Sequence, residues 1–207
     1  MFDLDGTLVD SSSCHEDAFK YAMQQHAPHL LPGFVYESVK GLRTDDVFRN
    51  LKVSDDSLIE KLTGEKQASY RQLVRAGAVK AFPHVRELLA LLKQRGYGMS
   101  IVTSASRRSA TSILNNLDLV QFFQVVVTGE DVAKAKPAPD GYLACIEQMR
   151  IEKEIALVVE DAVSGVQAGK AAGLEVIAVN NPELEDTNEY VGTIADLHET
   201  FLTEVEP

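Results

Sequence analysis

The sequence predicts an α/β fold, a doubly wound parallel sheet with an inserted all-α block, and three observations carry that reading. From residue 82 onward, helical segments alternate with short strands rich in Val and Ile, the pattern of a parallel sheet covered by helices on both faces. Between residues 12 and 79, apolar residues recur at helical spacing with few convincing strands. Ahead of that block stands MFDLDGTLVD, in which Met1, Phe2 and Leu4 read as the end of a hydrophobic strand and Asp5-Gly6 as the turn that ends it. Residues 1–11 and 80–207 are therefore expected to form the α/β core, and 12–79 the helical insert.

Each element follows from its own residues. The serine-rich stretch before residue 14 offers an N-cap to a helix carrying Ala18, Phe19, Tyr21, Ala22 and Met23, which Pro28 and Pro32 interrupt. Leu51, Leu58, Ile59 and Leu62, then Tyr70, Leu73 and Val74, continue the helical pattern between Val35 and Ala78. Pro83 starts a helix with Val85, Leu88, Leu89, Leu91 and Leu92 on its apolar face, and Gly96 stops it. MSIVT (99–103) is then a short buried strand. Arg107 to Leu117 reads as a helix, FFQVVVT (122–128) as a strand, Asp140 to Met149 as a helix and IALVVE (155–160) as a strand. A helix over 164–172 ends at Gly173, and EVIAVN (175–180) is a further strand. The acidic stretch from Pro182 reads as loosely packed.

With 207 residues and 45% hydrophobic content, the chain is long enough for one domain with a substantial insert or for two small ones. Lys and Arg number 20 against 31 Asp and Glu, a formal charge of −11, which argues against a nucleic-acid partner. No apolar run approaches the roughly 20 residues of a membrane span, and neither a basic nor a cleavable hydrophobic segment opens the chain, so a cytoplasmic protein is expected. Cys14 and Cys145 lack metal spacing and read as free thiols, and the chain is expected as a monomer or small homo-oligomer.

Ligands of an open α/β sheet sit beyond the carboxyl ends of its strands. Asp3 and Asp5 lie at the first such end, Thr103 and Ser104 at the second, Lys134 and Lys136 in the turn AKAKPAPD, and Glu160 and Asp161 at the end of IALVVE. Converging carboxylates repel unless a cation neutralises them, and an all-oxygen set suits Mg²⁺. A lysine and hydroxyls beside such a metal suit a phosphoryl group, whose transfer depends on positioning and charge neutralisation.

FDLDGTLVD, IVTSAS, AKPAPD and VVEDAVSGVQAGKAAG, in that order and with a helical insert after the first, resemble the four motifs of the haloacid dehalogenase-like superfamily, in its phosphatase and β-phosphoglucomutase-like branch. The resemblance covers nearly the whole chain. It implies a Rossmann-like core with a small helical cap, and a phospho-aspartate mechanism with Asp3 as nucleophile and Asp5 as general acid and base. Thr103 or Ser104, with Ala105 beside them, would hold the phosphate. Lys136 would neutralise Asp3 and the phosphate, while Asp161 and Glu160 would hold Mg²⁺ together with Asp3 and the backbone carbonyl of Asp5. The aspartate at position 5 favours phosphoester chemistry, because such leaving groups need a proton. His15, Lys40, Gly41 and Arg43 match the branch's cap and substrate contacts. The mutases carry their phosphate-binding cap arginine one position later, where this chain has Thr44, so hydrolysis is favoured over mutation.

Plainer readings stand beside these. DLDG is by itself an ordinary acidic turn, Lys136 a loop lysine, and Glu160-Asp161 a helix cap; the ordered set of four motifs weighs against all three. His15 could simply pack in its helix, and for Lys40 and Arg43 a solvated face competes. His26, His29, His84 and His198 have no constellation, and Cys14 reads as an inert thiol. The expected function is hydrolysis of a small phosphate ester, a sugar phosphate or phosphoglycolate-like metabolite. A sugar phosphomutase and a catalytically silent binding module on the same fold are the alternatives. Only Met1 and Phe2 precede Asp3, a short central strand, and extra apolar residues ahead of it are expected to raise thermal stability.

Overall fold

A computed structural model of the chain describes residues 1–203. Four short strands form the outer parts of its parallel sheet: β3 (Ser100–Val102) pairs with β4 (Val125–Val127), and β5 (Leu157–Glu160) pairs with β6 (Glu175–Ala178). The N-terminal segment joins the two pairs. Phe2 bridges in parallel to both Ile101 and Val159, its N–H donates to Ser100 O at 2.8 Å, and the Val102 N–H donates to Phe2 O at 2.9 Å. The order across the sheet is therefore β4, β3, residues 1–3, β5, β6, with the first segment at the centre.

Side chains alternate across this sheet because successive Cβ atoms of a strand point to opposite faces. Ile101 and Val159 bury into one core with Phe2, Leu4, Leu88, Leu89 and Ile113. Their neighbours Val102 and Val158 bury into the other with Tyr142, Val166 and Val176. Helices α4 (Val85–Gln94), α5 (Arg107–Asn116) and α8 (Ile194–Thr203) cover the first face, and α6 (Asp140–Met149) and α7 (Val163–Ala171) the second. Both faces are covered, as an all-parallel sheet requires. Truncating a fully buried side chain such as Ile101 to Ala would cost about 2–5 kcal/mol.

The helical insert runs through α1 (Ser12–His26), α2 (Thr44–Asn50) and α3 (Asp56–Arg75) with two 3₁₀ segments between α1 and α2. Phe19, Met23, Phe34, Val47, Phe48 and Leu62 give it a hydrophobic cluster of its own. Two connecting strands, β1 (Val9–Asp10) and β2 (Lys80–Ala81), pair antiparallel where the chain leaves and re-enters the α/β part. The α/β class with a helical insertion is as the sequence predicts.

Several local expectations need correction. Ser11 stands at the N-cap position of α1 without capping it; its hydroxyl turns to Asp5 instead. Pro83 lies outside α4, whose N-cap is His84 with φ of 62°. Phe122 and Phe123 do not belong to a strand, since a 3₁₀ turn covers Val120–Phe122 and β4 begins at Val125. Over its described part, 182–203, the acidic stretch after Pro182 is not loosely packed: Leu184, Ile194 and Leu197 are buried, and α8 lies against α4; its last four positions lie outside the described residues. Its many acids face outward and hide three apolar anchors. No helix among the described residues is long and apolar enough to cross a membrane.

Candidate active site

The first segment ends at Asp3, whose N–H is fixed by Val159 O at 2.9 Å. Its side chain emerges between the ends of β3 and β5. Lys136, in the turn before α6, reaches into the same place. Its buried ammonium donates to Asp3 Oδ1 at 2.6 Å, to Val102 O at 2.8 Å and to Glu160 Oε1 at 2.5 Å. Three acceptors use all three of its N–H groups. Burial pulls the Lys136 pKa down, but Asp3 and Glu160 outweigh it and hold the ammonium charged. Burial lifts the Asp3 carboxyl well above the usual range against the pull of Lys136, and Glu160 and Asp161 lift it further.

Asp161 accepts from Thr7 Oγ1 at 2.9 Å, and its other oxygen meets the Lys40 ammonium at 2.7 Å. Burial raises its pKa to about 6 against the opposing charge of Lys40. Gly6, with φ of +93°, makes this approach possible, because a Cβ there would lie 2.1 Å from Asp161 Oδ2. Asp3, Glu160 and Asp161 are all buried and offer oxygens within 4.8 Å of one another. Apart from Lys40 as an ion pair, Asp161 Oδ2 has no aligned hydrogen-bond donor. Three carboxylates thus face two ammonium groups, and an all-oxygen set with an unsatisfied buried oxygen fits a hard divalent cation. Within that set Glu160 is already engaged. Its Oε1 accepts from Lys136 and from Tyr142 Oη, and its Oε2 accepts from the Asp161 N–H.

Asp5 lies two residues on and is held by a different group of partners. Its Oδ1 accepts from Ser11 Oγ at 2.8 Å, Tyr70 Oη at 2.7 Å and His15 Nε2 at 3.0 Å. Burial pushes its carboxyl up, but the His15 ring and the hydrogen bonds from His15, Tyr70 and Ser11 hold it well below the usual carboxylate range. His15 in turn takes a contact on Nδ1 from the Lys66 ammonium at 2.7 Å. Burial, then Lys66, pull the His15 pKa below its usual value against Asp5. A proton on Nε2 suits the hydrogen bond to Asp5, with Nδ1 left to accept from Lys66. Lys66 is buried and pushed down to about 7 by burial, with Phe19 and Tyr70 rings under its ammonium at 4.4 and 5.2 Å.

The predicted hydroxyls separate. Thr103 Oγ1 accepts from the Ala105 N–H at 3.0 Å, and no acceptor takes its own proton among the described residues. Ser104 Oγ donates across to Gly41 O at 2.8 Å. Gly41 has φ of +80°, and a Cβ on it would lie 2.6 Å from Ser164 Oγ and 2.8 Å from the Ala162 Cβ; only glycine lets this loop seat against the core. A narrow cavity of about 50 Å³ over Asp3 and Asp5 is walled by Tyr36, Gln67, Thr103 and Ser104 among others.

The structure thus brings Asp3, Asp5, His15, Lys40, Gly41, Thr103, Ser104, Ala105, Lys136, Glu160 and Asp161 to one place. Arg43 stands apart at the rim, its guanidinium turned to Asp45 at 2.8 Å. Sequence reasoning missed Tyr36, Lys66, Gln67 and Tyr70 from the insert, and from the core Thr7, Ser11, Tyr142 and Asn181, whose amide donates to Asp161 O at 2.7 Å. One signal was present: Lys66 falls on the buried stripe Ile59, Leu62, Lys66, Tyr70, Val74 of α3, where a lysine needs a partner.

The family model described as haloacid dehalogenase-like hydrolase matches residues 1–179. Hexitol phosphatase A of Escherichia coli is 33% identical over 184 residues, 88% of this chain and 82% of that protein. Validoxylamine A 7'-phosphate phosphatase of Streptomyces hygroscopicus subsp. limoneus is 32% identical over 178 residues, 84% of this chain and 81% of that protein. Among solved structures, a β-phosphoglucomutase from Clostridium difficile superposes with a TM-score of 0.83 over 98% of this chain and 94% of that one, at 22% identity, a likeness of fold.

Proposed function

The chain belongs to the haloacid dehalogenase-like hydrolase family and is a phosphoric monoester hydrolase, and we propose that it cleaves a small phosphorylated metabolite, of the sugar phosphate or phosphoglycolate kind, through a phosphorylated Asp3. The observation that carries this reading is the division of labour between two neighbouring carboxylates. Asp3 lies against the Lys136 ammonium at 2.6 Å, where an attacking oxygen and an incoming phosphoryl dianion share one counter-charge. Among the described residues Asp5 is anchored through Oδ1 alone, which leaves Oδ2 for the substrate.

In the first step an Asp3 oxygen forms a bond to phosphorus and the ester P–O bond breaks. The proton the leaving alkoxide needs comes from Asp5 Oδ2, whose proton affinity rises as the phosphoryl dianion enters beside it. In the second step the Asp5 carboxylate takes a proton from water as that water attacks phosphorus, which releases phosphate and restores Asp3. The free hydroxyl proton of Thr103 suits the phosphoryl oxygens, whereas the Ala105 N–H is engaged by Thr103 Oγ1 and the Ser104 hydroxyl by Gly41 O. Asp3, Asp161 and the Asp5 carbonyl would hold Mg²⁺, which when bound supplies charge neutralisation for the phosphoryl group. Glu160 acts beside that set by orienting Lys136. Residues 12–79 act as a cap over residues 1–11 and 80–207, excluding bulk water from the acyl phosphate. A cytoplasmic compartment fits these readings.

A mutase on this scaffold would have to grip a second phosphate from the cap, and the cap's Arg43 is engaged by Asp45 and Asp46. A silent binding module has no use for the joined set of Asp3, Asp5, Lys136 and Asp161. Phosphate release should be measured over a panel of metabolite phosphates with Mg²⁺ and with chelator, in wild type and Asp3→Asn. Turnover that needs Mg²⁺ and disappears in the folded variant is the expected result. Release at the wild-type rate by Asp3→Asn would remove Asp3 as nucleophile.

A further inference from the structure

Beside the narrow cavity over Asp3 lies a second of about 360 Å³, and the two share Thr44, Gln67, Ser104, Ala105 and Ser106 as walls. An ester with its phosphoryl group over Asp3 can extend its leaving group past these residues into the larger space. The shared wall is uncharged: the Thr44 hydroxyl and the amide of Gln67 offer hydrogen bonds to hydroxyl groups, while Ser104 donates to Gly41 O and Ser106 to Ser109 Oγ. The outer wall is charged, and its sign is negative. Among the described residues that line it Arg43 is the one cation, and Asp45 and Glu130 face the same space.

Arg43 is already committed. Its Nε lies 2.8 Å from Asp45 Oδ1 and 3.6 Å from Asp46 Oδ2, and its Nη1 donates to Gly129 O at 3.5 Å. Asp45 and Glu130 on that wall, with Asp46 next to Arg43, outnumber its positive charge. A second phosphate or a carboxylate at the far end of a substrate would share Arg43 with Asp45 and sit beside Asp45 and Glu130. Like charges brought together across a binding surface suppress the wrong partner. A hydroxyl-bearing chain meets no such opposition.

Resting on the phosphatase reading, we infer that the outer cavity receives the leaving group and selects an uncharged, polyhydroxylated one, rejecting esters that carry a second anionic group. Of the two substrate kinds the sequence suggests, this favours a sugar or polyol monophosphate over a phosphoglycolate-like ester.

The test compares kcat/KM for three matched esters: a hexitol 6-phosphate, the hexonate that differs from it by a terminal carboxylate, and the hexitol 1,6-bisphosphate. The expected result is at least a tenfold preference for the uncharged ester, expressed mainly in KM. In Asp45→Asn/Glu130→Gln that preference should shrink at least threefold; Glu130→Gln alone, at an exposed position, should shrink it in the same direction if the double variant does not fold. Equal or better turnover of the hexonate or bisphosphate by the wild type overturns the inference and leaves the phosphatase reading standing. So does a preference unmoved by the folded variants. Release from none of the three, nor from p-nitrophenyl phosphate, overturns the phosphatase reading and the inference with it.

Discussion

Replacing Lys66 with Met should stabilise the protein and impair it at once. Lys66 is buried inside the insert, over the rings of Phe19 and Tyr70, and its one polar contact among the described residues is His15 Nδ1 at 2.7 Å. Burial lowers its pKa from 10.5 to about 7, which corresponds to about 5 kcal/mol spent on holding the charged form. Methionine has a similar shape and none of that penalty, but forfeits cation–π contacts of about 0.5–2 kcal/mol each. The expected net gain at pH 6 is about 2–3 kcal/mol in urea denaturation. Its pH dependence is set by linkage. Between pH 7 and 10.5 the unfolded chain keeps a proton on Lys66 that the folded chain has lost, so wild-type stability rises with pH there. The advantage of Lys66→Met should therefore shrink by about 2–3 kcal/mol between pH 6 and pH 9. Subtracting the two proteins removes contributions of groups common to both, such as the buried Met1 amino group. Loss of the Nδ1 donor frees the His15 ring that positions Asp5, and kcat should fall about tenfold or more. A variant less stable than wild type at pH 6, or an advantage that does not change with pH, would refute the reasoning.

Removal of the other buried lysine should have the opposite effect on stability. Lys136→Met leaves Asp3 and Glu160 without their shared counter-charge and should cost about 3–5 kcal/mol at pH 7, with a smaller loss at pH 4, where Asp3 takes up a proton; denaturant melts at both values check this. Gly41→Ala forces a Cβ to within 2.6 Å of Ser164 Oγ at φ of +80°. It should lower kcat/KM at least tenfold while the α/β part keeps its melting behaviour, and wild-type kinetics would show that the loop need not seat. Mg²⁺ at a hundred times its dissociation constant should stabilise the folded wild type by about 2.7 kcal/mol. Calorimetry should find that stabilisation missing in Asp161→Asn; an equal shift in both proteins would place the cation elsewhere.

What the sequence made legible follows the reach of local chemistry. Strand ends carry their residues with them, so Asp3, Thr103, Lys136 and Asp161 could be assigned to one edge once the alternation of helices and strands was read. Partners that come from the insert depend on how it docks, which periodicity does not contain. Tyr70 and Lys66 were visible as members of the α3 stripe, but their convergence on Asp5 through 2.7 Å contacts is a fact of tertiary structure. Ser11 shows the same limit in reverse: its local preference predicts a helix cap, and the buried carboxylate of Asp5 wins the hydroxyl. Arg43 was legible as a cation near the site and not as one neutralised by its own neighbours. After Pro182, outward-facing acids masked Leu184, Ile194 and Leu197, because composition averages over faces that the fold separates.

The most direct test of a phosphorylated Asp3 uses Asp5→Asn with p-nitrophenyl phosphate, whose leaving group needs no proton. Rapid mixing followed by acid quench and peptide mass analysis should show one equivalent of nitrophenol released in a burst, near-complete arrest thereafter, and a phosphoryl group on Asp3. The same experiment with Asp3→Asn should show neither burst nor adduct. Steady turnover by Asp5→Asn without an adduct, or an adduct on any residue other than Asp3, would contradict the mechanism.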